Sequence, residues 1–271
     1  MNIKYFCPRW GSESLTLKAF FQKVFEYGYD GIEVSLPEDA EERNELFAYI
    51  KAYNLPFVLQ HWETVNPDFE EHKIEYNRRL EALTAARPLF VNSQTGKDYF
   101  SFEQNNELIA IAEAVSLDSG VKIIHETHRG KFSFAAHIMK PFLDANPRME
   151  LSLDISRWCN VAETFLDDQK QAVEAALQQT FHIHSRVGHT QSAQVHDPRD
   201  AEYQEALKVH LNWWQRVVDI KKARGEKTMT ITTEFGPFPY MTLLPHTQES
   251  ISHQWEINNF IKNYLKENLT L

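Results

Sequence analysis

The feature that most constrains this chain is an eightfold alternation of a short apolar run, a polar connection and an amphipathic stretch, unbroken from end to end. The runs at 3–7, 31–36, 57–61, 89–94, 122–127, 151–156, 181–186 and 230–235 have the length and content of β-strands. Helical patterns are expected between them, near 14–27, 39–53, 67–86, 102–117, 134–145, 163–179, 201–224 and 247–268. The fourth of these shows the local logic. Ser101 with Gln104 three residues on makes a capping box, Leu108, Ile109, Ala112 and Val115 recur at helical spacing, and Gly120 follows the end. Gly28 and Gly225 close the first and seventh helices in the same way. Strand and helix in strict alternation imply parallel strands joined by crossover helices. Eight such units close an α/β barrel of the (β/α)8 TIM type, and 271 residues suit one. An open doubly wound sheet is the competing arrangement, but no glycine-rich phosphate loop opens any of the helices. There is no Pro/Gly/Ser-rich linker or low-complexity tract, so residues 1–271 are expected to form a single domain.

In a parallel barrel alternate strand residues point inward, and the active site sits at the C-terminal mouth. The last four strand candidates each end near a charged or imidazole side chain: Glu126, Asp154, His184 and Glu234. A period of two puts Ile124, Glu126 and His128 on one face, then Ser152, Asp154 and Ser156, then His182, His184 and Arg186, then Thr232, Glu234 and Gly236. The four candidates therefore fall at similar depth on consecutive strands. Any one of them alone reads equally well as a helix cap or salt-bridge partner. Three carboxylates and an imidazole at one point repel each other unless a cation sits among them, since unpaired buried charge is very costly. Oxygen and nitrogen donors of this kind suit one divalent metal ion such as Mn, Mg, Co or Zn.

Glu33, His61 and Gln94 are placed on the remaining arc of the mouth, although His61 reads equally as a satisfied core histidine. Many polar groups around one opening suit a hydroxyl-rich ligand, each hydroxyl finding a donor or acceptor. Trp10, Trp62 and Trp158 fall just beyond strands and are either structural or walls of a sugar-sized pocket, whereas Trp213 and Trp214 lie within a helix and read as packing. The connection 187–200 is the longest after a strand and leaves the strand that carries His184. Long ordered loops often act as lids, and this one is expected to bring His189 or Arg199 towards a substrate. His128, Arg129 and Arg186 extend that into an anion-friendly clamp, arginine binding carboxylate or phosphate bidentately.

A formal net charge of -10 argues against nucleic acid as a partner, because phosphate binding needs a basic face. No apolar stretch approaches the roughly 18 residues needed to cross a bilayer. Two cysteines, Cys7 and Cys159, cannot build a disulfide framework, and the first residues lack the apolar core of a signal peptide. The expectation is a cytoplasmic protein whose partner is a small-molecule carbohydrate. The oligomeric state stays open, a homo-oligomer included.

The Glu–Asp–His–Glu order on strands five to eight, with His-Ile-His at 182–184, resembles the xylose isomerase-like TIM barrels. That group includes sugar and sugar-phosphate isomerases and ketose 3-epimerases. The resemblance spans the chain in architecture and is specific in motif at 122–129, 151–157, 181–199 and 230–239. It implies that Glu126, Asp154, His184 and Glu234 bind one divalent metal and that Glu126 and Glu234 are catalytic, exchanging protons with a substrate carbon. On the reading of the mouth and the loop given above, the substrate-contacting positions would be His61, Gln94, His128, Arg186, His189 and Arg199. Two departures from the epimerase pattern are Arg157, where those enzymes carry histidine, and Phe132, where they carry a second glutamate. Metal-dependent endonucleases of the same superfamily need a richer histidine set and a basic face, which this acidic chain lacks. The reading is therefore a metal-dependent isomerase or epimerase of a small sugar, sugar acid or sugar phosphate, working through an ene-diolate. A metal-dependent dehydratase of a polyol and a non-catalytic sugar-binding barrel are the alternatives.

Overall fold

In the computed structural model, which describes residues 1–271, eight parallel strands close on themselves in sequence order. They are β1 (Asn2–Pro8), β2 (Gly31–Ser35), β3 (Phe57–His61), β4 (Val91–Ser93), β5 (Ile123–Glu126), β6 (Leu151–Leu153), β7 (Thr180–His184) and β8 (Thr228–Thr232). Closure is made where β1 pairs with β8, in the register Phe6 to Thr232. The helices α1 (Leu17–Glu26), α2 (Ala40–Tyr53), α3 (Phe69–Ala85), α4 (Phe102–Ser119) and α5 (Ala136–Ala145) follow the first five strands. The capping box on α4 is present, and Gly120 takes the left-handed conformation at its C-cap. The TIM barrel expected from the alternation is the fold, and its largest core lies between the strands and the helical ring.

The later helices depart from the expected pattern. The stretch given to one helix at 163–179 holds only the shorter α7 (Lys170–Gln178), and a separate short helix, α6 (Ser156–Ala162), precedes it. Glu163 and Leu166 adopt φ of 55° and 61°, which a continuous helix cannot accommodate. α6 was not visible as a periodic pattern because Ser156, Arg157, Trp158 and Cys159 are all buried, leaving no polar face to set the period. A 3₁₀ turn (Ala201–Tyr203) precedes α8 (Gln204–Ala223), and α9 begins only at Gln254 and runs to Asn268.

Inside the barrel the side chains change character along the axis. Phe6, Val58, Phe90 and Ile124 form a dry plug, with Phe181 packed against it. His182 lies directly on Phe90, ring centroids 5.1 Å apart. Above it come Glu33, Asn92 and Thr232, all fully buried, and then the mouth. On β4 and β5 the inward face therefore moves from apolar to polar, the period of two carrying Phe90 to Asn92 and Ile124 to Glu126. The same rule anchored on Val58 makes Gln60 and Trp62 the mouth-facing residues of β3.

Candidate active site at the barrel mouth

His184, at the end of β7, organises the floor of the mouth. Its Nδ1 lies 3.0 Å from Glu234 Oε2 and 3.8 Å from Glu126 Oε1, and its Nε2 lies 3.0 Å from Glu33 Oε1. Asn92 Nδ2 donates to Glu33 Oε1 (2.9 Å) and Glu126 Oε2 (3.1 Å), and Gln94 Nε2 donates to the same Glu126 oxygen at 3.4 Å. The bond from Nε2–H to Glu33 fixes the ring and turns Nδ1 to the mouth, an arrangement common behind metal-binding histidines. His182 below is saturated, its two nitrogens 2.6 Å and 3.0 Å from the hydroxyls of Thr230 and Thr232.

The donor set suits a cation. His184 Nδ1 and Glu126 Oε1 are buried polar atoms without a hydrogen-bond partner; the 3.0 Å approach of Nδ1 to Glu234 is a charge contact out of line for one. Orphaned buried groups of this kind cost about 1–3 kcal/mol each. Ligand atoms of Glu126, His184 and Glu234 lie within 4.8 Å of one another, close enough for one ion to satisfy all three. Asp154 stands beside this set with its oxygens engaged. Oδ2 accepts from Arg157 Nε (2.9 Å) and Arg186 Nε (3.1 Å), and Oδ1 accepts from the Ser156 backbone N–H (3.2 Å) and hydroxyl.

The environment drives these carboxyls apart. Burial pushes Glu126 up to about 7, against the pull of His184. Burial would raise Glu234 too, but His184 and then Arg186 outweigh it and hold Glu234 ionised, well below the usual range. Asp154 is likewise held low, Arg157 and Arg186 overcoming its burial. Burial alone would strip the proton from His184, yet the charges of Glu234, Glu33 and Glu126 reverse that and raise it well above an ordinary histidine. Carboxylates whose environments separate in this way are the usual mark of acid and base roles.

Above the floor opens a cavity of about 480 Å³. Of the residues expected at the mouth, Gln94, His128, Glu234, Trp10 and Trp62 line it. His128 Nδ1–H donates to the Arg129 carbonyl (2.7 Å), which leaves Nε2 as an acceptor; burial lowers this histidine to about 3, so the ring is neutral. Arg186 is spent on protein partners, donating to Asp154, Glu234 (2.8 Å) and Gln194 (2.6 Å). His61 is the correction. It faces away from the axis, 3.0 Å from Ser93 Oγ and 2.7 Å from Thr64 Oγ1, with Tyr76 of α3 packed on its ring. In β3 the inward positions are even-numbered, so the core-histidine alternative holds. The loop 187–200 does not bring its two candidates to the cavity: His189 packs near Phe165 and Tyr203, and Arg199 is paired with Asp197 at 2.8 Å. Trp158 is a fully buried structural residue, its indole donating to the Ser133 carbonyl.

Sequence reasoning passed over Asn92 and Tyr240. Asn92 shares the parity of Gln94 and was open to the same argument. Tyr240 lies in the irregular stretch after β8, where no periodicity operates; its hydroxyl meets Arg157 Nη1 at 2.6 Å, and it lines the cavity.

No family model and no curated protein sequence matches the chain. Solved structures do. A 3-keto-D-glucoside 4-epimerase from E. coli aligns with a TM-score of 0.63 at 13% identity, covering 98% of this chain and 100% of the other. A sugar phosphate isomerase/epimerase from Parabacteroides distasonis aligns at 0.61 and 10% identity, covering 97% and 98%. A probable 3-DHS dehydratase involved in petrobactin synthesis, from Bacillus anthracis, aligns at 0.60 and 13% identity, covering 98% and 99%. The chain thus shares the TIM-barrel fold of these proteins.

Proposed function

We propose that this protein is a divalent-metal-dependent isomerase or epimerase of a small carbohydrate. The observation that carries the reading is the pair of orphaned buried atoms, Glu126 Oε1 and His184 Nδ1, set against ionised Glu234 at the floor of a polar cavity. The fold shared with a sugar epimerase and a sugar phosphate isomerase/epimerase supports it. Glu126, His184 and Glu234 would hold the ion, with Asp154 as the fourth member, which joins them only by giving up guanidinium bonds. When bound, the ion supplies Lewis-acid polarisation of adjacent carbonyl and hydroxyl oxygens. A cation beside Glu126 favours its charged form, so loading and protonation compete at that oxygen.

The chain's own groups then have distinct tasks. Glu234, held ionised by His184 and Arg186, takes the proton from the substrate carbon, and an ene-diolate results. Glu126, on the other side of the floor, returns a proton to the opposite face, so its protonated form must alternate with the form that holds the ion. Asn92 and Gln94 keep Glu126 aimed, and His128 Nε2 accepts from a substrate hydroxyl. Arg186 fixes Glu234 without itself reaching the cavity. Elemental analysis together with exchange of carbon-bound substrate hydrogen in deuterated water tests the reading. A metal-free protein, or a metal-loaded one that exchanges no hydrogen in any sugar, overturns it.

One observation favours a dehydratase as the second reading. Tyr240 is half-buried at the cavity wall; burial raises its phenol, but Arg157 outweighs that and brings it below the ordinary value. A more acidic phenol there could protonate a leaving hydroxyl after the same first proton abstraction. Loss of water changes substrate mass and isomerisation does not, so mass analysis of product separates the two.

A further inference from the structure

The cavity above the site is divided. The wall built by β1 to β3 and their loops is mixed: Trp10, Leu17, Val34, Pro37, Leu46 and Trp62 give it an apolar surface, with Arg9, Glu13, Ser35, Glu42 and Gln60 set among them. The opposite wall, from β4 to β8, is polar and carries Gln94, His128, Arg157, Glu234 and Tyr240. A lone sugar ring over Glu126 and Glu234 would leave the two indoles, Trp10 and Trp62, to water. Apolar patches beside a few convergent polar groups are what ligand sites use to hold a second, less polar part.

The two tryptophans are fixed in place rather than loosely exposed. Trp62 is 51% exposed at the rim, yet its indole N–H donates to Ser35 Oγ at 2.9 Å. Trp10 stands edge-on to Tyr240, with the Arg186 guanidinium 5.3 Å from its ring centre. Gly236 lies beneath it, and a Cβ there would come within 2.3 Å of the indole, so only glycine admits the ring. Held aromatic faces at an opening are stacking platforms for a ring-shaped group.

The charges point the same way. Glu13, Glu42 and Glu234 put three carboxylates on the lining against two guanidiniums, Arg9 and Arg157. Both guanidiniums are already engaged. Arg157 holds Asp154 and Tyr240, and Arg9 donates to the carbonyls of Ser12 and Leu15. A phosphate or carboxylate entering here would find no unengaged guanidinium on the lining, and recruiting Arg157 would take one of the two guanidiniums from buried Asp154, a costly exchange.

Resting on the isomerase or epimerase reading above, we propose that the substrate is an uncharged glycoside: a sugar ring on the polar wall over Glu126 and Glu234, and a second ring, sugar or aryl, against Trp62 and Trp10. The test is calorimetric titration of the Mn-loaded full chain with matched probes in the gluco and galacto series: the free sugar, its 6-phosphate, its aldonate, its phenyl glycoside and a disaccharide. At least one phenyl glycoside or disaccharide should bind about tenfold more tightly than its parent sugar, the scale of one aromatic stacking contact. The phosphates and aldonates should bind no better than the parent. Trp62→Ala should shrink the glycoside advantage to within about twofold, and Trp62→Phe should restore part of it. A phosphate or aldonate preferred tenfold, an advantage that survives Trp62→Ala, or no glycoside bound better than its parent overturns the proposal. Failure of the underlying chemistry looks different: a protein that exchanges hydrogen in a sugar phosphate keeps that chemistry and loses the glycoside, whereas one that binds phenyl glycosides without metal or exchange does the reverse.

Discussion

Arg186 Nε donates to Asp154 Oδ2 across 3.1 Å, so a carboxylate that the strand-end pattern assigns to a metal is held by a guanidinium. Arg157 reaches the same oxygen at 2.9 Å, and all three side chains are buried. The cation that three converging carboxylates need is therefore partly supplied by the protein, in two arginines. Sequence logic correctly asked for positive charge at this point and could not tell an arginine from an ion.

Asp154→Ala should consequently cost stability as well as metal. It leaves two buried guanidiniums short of a partner, and breaking a buried pair from one side costs about 3–5 kcal/mol. Denaturant unfolding of the metal-free protein reads that term. Elemental analysis at equal metal supply reads the other, where at least about a tenfold weakening is expected for a residue in or directly behind a ligand set. Undiminished metal would remove Asp154 from that set.

Asn92 is expected to matter nearly as much, although it carries no charge. Its single amide nitrogen holds Glu33 and Glu126 and sits 3.2 Å from His184 Nε2, so it fixes the separation of three site residues. Asn92→Leu should weaken metal binding by about 10- to 100-fold. A metal titration of the variant within twofold of the parent would make Asn92 a filler of the barrel and no more.

The barrel was legible because each strand–helix unit repeats the same two periods, and eight repeats leave little choice of closure. The floor of the site was legible for the same reason: Glu126, His184 and Glu234 occupy equivalent inward positions. What was lost depends on contacts between elements. His61 and Gln60 are neighbours in sequence, and only the anchor provided by Val58 in the plug decides which of them sees the mouth. Arg199 lies on a loop whose own Asp197 captures it, an attraction across two residues that a reading aimed at distant ligands overlooks. Tyr240 and the short helix after Asp154 belong to segments without periodicity, so their placement follows from packing on Trp10 and the arginines.

A pH dependence of stability follows from His210 of α8. Its Nδ1–H donates to the Ala206 carbonyl at 2.8 Å, and its Nε2 accepts from the Gly188 N–H at 3.2 Å, so the folded protein requires the neutral ring. Burial lowers it to about 4 from an ordinary 6.5. Above pH 6.5 the ring is neutral folded or unfolded, and it contributes no slope. As pH falls from 6.5 to about 4 the unfolded chain takes up a proton that the fold refuses, and stability declines, by on the order of 3 kcal/mol in the limit. Below about 4 the slope from this residue ends. Chemical denaturation between pH 7.5 and 4 should show a shallower decline in His210→Gln than in the parent. Parallel declines would assign the acid sensitivity elsewhere.

The sharpest test of the proposed chemistry is Glu234→Gln. Glu234 is ionised because His184 Nδ1 and Arg186 Nη2 both face the same oxygen, at 3.0 Å and 2.8 Å. That arrangement makes it a carboxylate poised to accept a proton, although the same two cations reduce its basicity, so positioning must supply much of the effect. The amide keeps the shape and an oxygen that can still approach a cation, but it cannot take the proton. Substrate affinity should therefore change modestly. Turnover should fall by at least about 10²-fold, the lower range for a missing general base. Exchange of the carbon-bound substrate hydrogen with deuterated water should fall in step, because it reports the abstraction itself and not later steps. A Gln variant that exchanges as fast as the parent would leave Glu234 a ligand only and move the base to Glu126.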